Sequence, residues 1–288
     1  CGGLWGACRD DHEEQHEASS SCGFIVSPVS WQPMIQVLLF LIAAAPPDAV
    51  VVPAGTFEQG SIRAPDEQPV RSIRLDGFAI DATEVQVSEF EKFLGGGWQQ
   101  DQNWTPHGLD WRNKNPRGSG RELRSAGRDG RHPVVSVTWY EADAYCRSKG
   151  GALPTEAQWE RAACNGQPGP YPWGSSETVP AQWALKSGDE PVMRVNTAPV
   201  DEDRVPVPSG LRHMSGNVWE WTADWYHRDS YSDGEQSNPR GRQKGTWKTI
   251  RGGSFMNLPS YSTCTHREPT TPDDVRLTLG FRCAYTLD

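Results

Sequence analysis

Glycine and proline interrupt this chain so often that few long helices can form in it. The 288 residues include 29 Gly and 23 Pro, and both residues tend to end a helix or strand and open a turn. A core must therefore be assembled from short elements. Hydrophobic residues make up only 36%, but 13 residues are Trp, and large aromatics supply much buried area per residue. The length suits one large domain or two small ones. A net charge of −9, with no run of Lys or Arg, argues against nucleic acid and anionic membrane as partners, because both reward basic patches.

The first residues need separate treatment. Cys1 stands where the modified residue of a lipid-anchored chain would stand. Further on, Met34 opens the segment MIQVLLFLIAAAPPDA, an apolar stretch followed by small residues and prolines. Its length suits the core of a signal peptide and is too short to cross a bilayer, so no transmembrane span is expected. We expect residues 1–33 to be an upstream extension, 34–49 a signal-like segment and 50–288 the folded domain; a buried helix within a longer domain is the other reading. His12-Glu13-Glu14-Gln15-His16 matches the zinc-protease pattern HExxH. Its flanks have no apolar periodicity to bury a catalytic helix, and no third ligand is near. Protease activity is not expected.

From Val50 the texture changes. Val50–Phe57 reads as a strand ending in a turn, 60–72 as a polar loop and Ile73–Ile80 as a second strand. Thr83 is the expected N-cap of a helix over Val85–Leu94, which stops at Gly95-Gly96-Gly97. Residues 96–131 read as a long polar loop, containing a glycosylation pattern at Asn103-Trp104-Thr105 and a Gly/Arg-rich solvated stretch. His132–Trp139 reads as a strand, Tyr140–Lys149 as a helix, and Thr155 caps another helix through Ala163. Strand signals return at Val218–Thr222, Thr249–Gly253 and Gly280–Tyr285. Two helices and several short strands in an irregular frame indicate a single α+β domain. Of seven Cys, Cys146, Cys164, Cys264 and Cys283 follow Met34. Four allow three pairings, and four buried free thiols are the alternative.

Several segments together resemble the formylglycine-generating enzyme (sulfatase-modifying factor) family. They are Val52-Pro53-Ala54-Gly55-Thr56-Phe57, Ala82-Thr83-Glu84-Val85, His132–Trp139, Leu153–Glu160 and Tyr171-Pro172-Trp173-Gly174, followed by Ser215-Gly216-Asn217-Val218-Trp219-Glu220-Trp221, Arg251-Gly252-Gly253-Ser254-Phe255 and Leu279-Gly280-Phe281-Arg282-Cys283. The resemblance implies a C-type-lectin-like fold with few helices, short strands, much irregular structure and a surface cleft. It implies the pairs Cys146–Cys283 and Cys164–Cys264. Disulfides need an oxidising compartment, so a secreted or periplasmic location is expected.

Family enzymes use O₂ to oxidise a cysteine in a sulfatase to formylglycine, with two cysteines after the GGS turn holding copper(I). Here the resemblance places Asn257 and Ser262 at those positions, and neither amide nor hydroxyl offers the soft thiolate that copper(I) prefers. Copper is not expected, and no catalytic residue is assigned. Ser254, Tyr261, Arg267 and Trp219 match residues of the family's cleft; the plainer reading is that Ser254 and Arg267 satisfy loop backbone groups. The resemblance also implies a calcium site on the Gly216 and Val218 carbonyls and Glu220, but His213 stands where the family has an oxygen ligand, which calcium wants. A second would lie near Ala181-Gln182-Trp183 with Asp189 or Glu190. Calcium binding is expected to be weak or absent. The reading is a non-catalytic module that binds a peptide, protein or glycan in its cleft. A divergent oxidoreductase of the same superfamily is the alternative, and an iron site for it would draw on His107, His132, His213, His227 or His266, which form no compact pair in sequence.

Overall fold

The structure, a computed structural model, describes residues 46–120, 129–164, 169–175, 186–187, 190–191, 196–202 and 210–287. The signal-like segment before residue 46 and the His12–His16 pattern lie outside them. The expected α+β architecture is present.

Strands β1 (Val50–Val52), β2 (Gly55–Gln59), β3 (Arg71–Leu75) and β4 (Phe78–Ile80) open the domain. Each of the two strands expected here is divided in two, the first at Pro53-Ala54 and the second at Asp76-Gly77. Proline has no N–H to continue a ladder. The pieces then join different sheets: β2 pairs with β3, while β4 lies between β1 and the C-terminal β11 (Ala284–Thr286).

Helix α1 (Val87–Gly95) begins four residues after Thr83. Thr83 is not its cap, because Val85 is held extended by backbone bonds to Phe281 and Val134. Glu89 instead folds back to accept the Gln86 N–H at 3.1 Å. The expected 96–131 loop contains helix α2 (Pro106–Lys114), with Thr105 capping Gly108 N–H at 3.1 Å and Pro106 in the first turn. This region is ordered by tryptophan: Trp98 meets Trp104 edge-on at 4.8 Å, and Trp104 lies 6.3 Å from Trp111. Asn103 is buried and donates its amide to Gly97, so its glycosylation pattern is not presented to solvent.

The expected strand over His132–Trp139 does not form. Ser136 sits at φ 56°, a left-handed conformation that a regular strand cannot contain. Helix α3 (Trp139–Ser148) follows, and Thr138 and Glu141 satisfy one another's backbone N–H as a capping box. Helix α4 (Glu156–Cys164) starts as expected, with Thr155 accepting from Gln158 N–H at 3.1 Å.

The two-residue strands β5 (Lys186–Ser187) and β6 (Glu190–Pro191) pair with each other. Strand β7 (Trp219–Trp225) is one of two inner strands of a four-stranded sheet, order β10-β7-β8-β9, with β8 at Lys248–Arg251, β9 at Glu268–Thr270 and β10 at Leu279–Gly280. Successive strand residues face opposite sides, and β7 uses this to separate two chemistries. Trp219 and Trp221 enter a core with Phe90, Tyr145 and Phe281. Glu220 and Asp224 face the other way, onto α4: Trp159 donates its indole N–H to Glu220 at 2.8 Å, and Asp224 accepts the Glu156 N–H at 2.8 Å. The short helix α5 (Ser230–Asp233) follows β7. Cys146–Cys283 ties α3 to the approach to β11, and Cys164–Cys264 ties the end of α4 to the segment before β9, in the pairing that the resemblance implies. No helix among the described residues is long and apolar enough to cross a membrane.

Candidate functional site

Strand β8 ends at Arg251, and the chain turns sharply through Gly252 and Gly253 at φ 95° and 71°. Both positions require glycine. A Cβ on Gly252 would lie 3.1 Å from the Trp159 ring, and one on Gly253 would collide with the Ser262 hydroxyl. The turn therefore brings residues 253 and 262 together and closes a loop between them.

Hydrogen bonds knit that loop. Asn257 Oδ1 accepts the Ser254 N–H at 3.1 Å and the Ser254 hydroxyl at 2.5 Å, and Asn257 N–H returns to the Ser254 carbonyl at 2.9 Å. Ser262 is buried; its N–H reaches the Pro259 carbonyl at 2.9 Å, and its own carbonyl accepts from Ser215 Oγ at 2.7 Å. Between these anchors Met256, Leu258 and Tyr261 are 58%, 61% and 40% exposed. Three exposed apolar side chains on nine residues of chain form a patch of the kind that contacts partners. Tyr261 packs edge-on against His266, 5.2 Å between ring centroids, and His266 lies 5.8 Å from Trp219. Of the residues expected in the cleft, Tyr261 is exposed and reaches Trp219 through His266, whereas Ser254 and Trp219 are themselves buried.

Arg267 does not present its charge there. It is buried and reads Glu156 in bidentate fashion, Nε to Oε1 at 2.5 Å and Nη2 to Oε2 at 2.9 Å. Its remaining nitrogen donates to the Asp66 carbonyl at 2.6 Å, and its guanidinium lies over Tyr231 and Tyr226. Glu156 also takes Arg251 Nη1 at 2.8 Å, while Arg251 Nη2 reaches Glu160 at 2.6 Å. Burial pushes Glu156 up, but Arg267 and Arg251 outweigh it and hold its carboxyl below the ordinary value. Sequence reasoning did not find this network. A charged residue on a short helix reads as surface until strand pairing shows what faces it.

The calcium candidates are changed in the same way. Glu220 is fully buried, and both its oxygens accept from Arg282 at 2.7 Å. The Arg282 guanidinium supplies the positive charge that a calcium ion would bring, so Glu220 does not fit a calcium site. His213 Nδ1 lies 2.9 Å from Glu84, which also accepts from Asn217 at 2.8 Å. Gly216 N–H bonds to the Gly252 carbonyl, and Val218 is buried. Residues 181–183 and 189 lie outside the described residues. Among the described residues no three of His, Cys, Asp and Glu converge to hold a metal.

Burial and the neighbouring Glu156 push the Asp224 carboxyl up to about 7. A group whose pKa rises on folding binds more protons folded than unfolded, so stability falls as pH climbs from near 4 to about 7. In Asp224→Asn this slope should be shallower than in the unaltered protein, measured as urea midpoints across that pH range. Equal slopes would mean that Asp224 titrates as a solvated carboxylate.

The fold and the glycine-closed loop define a disulfide-tied, largely irregular α+β domain with its candidate site on the turn after the central sheet. The sulfatase-modifying factor enzyme 1-like domain family matches residues 42–287, and the chain belongs to that family. It is 35% identical over 282 residues to the formylglycine-generating enzyme of Mus musculus, covering 82% of this chain and 74% of that protein. It is 32% identical to the formylglycine-generating enzyme of Streptomyces coelicolor, covering 83% and 89%. A serine/threonine-protein kinase pkn1 of Chlamydia pneumoniae is 35% identical over 84% of this chain, which spans only 38% of that protein. Among solved structures, PvdO from Pseudomonas aeruginosa superposes with a TM-score of 0.62 at 23% identity, covering 83% of this chain and 94% of that one. Treponema denticola variable protein 1 gives 0.63 at 22%, covering 82% and 94%. At those identities the structures speak for the fold, and they agree with the lectin-like expectation.

Proposed function

We propose that this protein is a sulfatase-modifying-factor family domain of the secretory or periplasmic space that does not generate formylglycine and acts as a binding module. The observation that supports this reading is the bonding of Asn257 and Ser262. At the positions where the resemblance expects copper-holding thiolates, one side chain accepts both polar hydrogens of Ser254 and the other packs against Gly253. Both are hard, neutral groups spent on closing a turn, and they supply neither a copper(I) ligand nor a redox pair. The exposed Met256, Leu258 and Tyr261 offer an apolar surface with one aromatic ring, suited to a peptide, protein or glycan, while Trp219 is buried beneath it in the core. Two disulfides agree with an oxidising compartment.

The ligand side is tested by titrating a fluorescent peptide carrying the family's Cys-x-Pro-x-Arg motif and by screening a glycan array. Binding that weakens about tenfold or more in Leu258→Asp, the loss expected from removing one central apolar contact, supports the reading. Absence of binding in both formats overturns it.

A further inference from the structure

A cavity of about 560 Å³ lies between α4, the end of β7 and the segment 233–244, and none of residues 252–262 lines it. Its size is that of a small-molecule site. Asp224 stands in its wall, 5% exposed. One oxygen, Oδ2, accepts the Glu156 N–H at 2.8 Å. The other, Oδ1, has no hydrogen-bond donor among the described residues and faces Gly241, where a Cβ would stand 2.7 Å from it. With no donor from the described residues on Oδ1 and Asp224 lining the cavity, this oxygen is left for water or for a polar group of a ligand to complete.

The segment that packs on Asp224 through Gly241 carries basic charge. Arg240 and Lys244 are exposed and make no ion pair among the described residues, whereas Arg242 is paired with Asp233 at 2.8 Å. Arg71 also lines the cavity, held by Gln59 at 3.0 and 3.2 Å and lying over Tyr231 at 4.7 Å. Asp233 and Glu235 line the cavity as well, Asp233 paired with Arg242, while the Glu156 oxygens are taken by Arg267 and Arg251. Charges of both signs are therefore offered to a ligand, and one that carries both can meet Asp224 and the basic groups together.

We propose that this cavity binds a small zwitterion of the α-amino-acid type, its ammonium donating to Asp224 Oδ1 and its carboxylate facing Arg240 and Lys244. The site is distinct from the loop 254–262 and does not depend on the function proposed for it. The protonation of Asp224 supports the assignment. Its pKa is raised by burial and Glu156 and opposed by Lys248 and Arg267, so a bound ammonium would draw the carboxyl back to its ionised form and release a proton near pH 7.

The test uses the full chain. Saturation-transfer NMR screens the common amino acids, and calorimetry follows on any that bind, in two buffers of different ionisation heat. The expected result is at least one amino acid bound with a sub-millimolar Kd and with proton release near pH 7. Its N-acetyl and its carboxamide derivatives should each bind at least about tenfold more weakly, the loss of one charge-assisted hydrogen bond. Asp224→Asn should weaken binding similarly. If that variant fails to fold, Arg240→Glu with Lys244→Glu, both on exposed chain, decides the matter by the same loss. No amino acid bound at about 10 mM, or binding indifferent to the acetylated and amidated derivatives, overturns the proposal.

Discussion

Arg267→Ala is expected to lower the stability of this domain by about 3–5 kcal/mol, the cost of leaving a buried partner charge uncompensated. Glu156 would lose two of its charged donors, and the Asp66 carbonyl would lose a third bond from the same side chain. Tyr226 and Tyr231 would lose the guanidinium over their faces. Arg267→Lys should recover little, because a single ammonium cannot reproduce the planar fork that spans both carboxylate oxygens. The contrast is Arg74→Ala. Arg74 pairs with Asp76 in the open, with both side chains more than 60% exposed, and its loss should fall within about 0.5 kcal/mol. Urea unfolding of the three variants measures this directly. Equal midpoints for Arg267→Ala and Arg74→Ala would mean that Arg267 is a surface residue of the cleft, as the family resemblance alone suggests.

Removing the Cys146–Cys283 bridge by double replacement with serine should cost about 5 kcal/mol. The two residues are 137 apart in sequence, and the chain-entropy cost of leaving so long a loop open has that size. Both sulfurs are also buried against Phe281 and Tyr145 in the main core, so serine adds the cost of a buried hydroxyl. For a domain of this length the midpoint of thermal unfolding should fall by about 10–20 °C. A reductant should lower the midpoint of the unaltered protein further than the double replacement does, because it also opens Cys164–Cys264, whose 100-residue separation gives a loop worth nearly as much, about 4.7 kcal/mol. An unchanged midpoint would mean that the α3 to β11 tie forms without the bond.

These two effects divide what was legible in the sequence from what was not. The cysteine pairing was carried by family resemblance and is present in the structure. Thr155 marked the start of α4, which it caps; the helix expected from Tyr140 begins one residue earlier, at Trp139, where Thr138, read as strand, is the cap. Local signals failed at Ser136, whose left-handed backbone breaks an otherwise strand-like run. They failed also across 96–131, where α2 is ordered by three tryptophans rather than by an apolar stripe, although Thr105-Pro106 marked its start. The charges of the interior were the least legible. Glu156, Glu220, Arg251, Arg267 and Arg282 come from five separate stretches of chain, and nothing local to any of them reveals that its partner waits on another element. The positions of Asn257 and Ser262 were readable, but their bonding to Ser254 and Gly253 needed the fold of the turn.

The central claim is that a domain of this family with Asn257 and Ser262 in that turn does not oxidise cysteine. The direct measurement is to incubate the oxidised protein with copper(I), O₂ and a Cys-x-Pro-x-Arg peptide and to follow the peptide by mass spectrometry. The account predicts a peptide of unchanged mass that is still retained by the protein. Appearance of the mass loss that accompanies replacement of –CH₂SH by –CHO, growing with turnover, would contradict it, because the chemistry would then not depend on thiolates at those two positions.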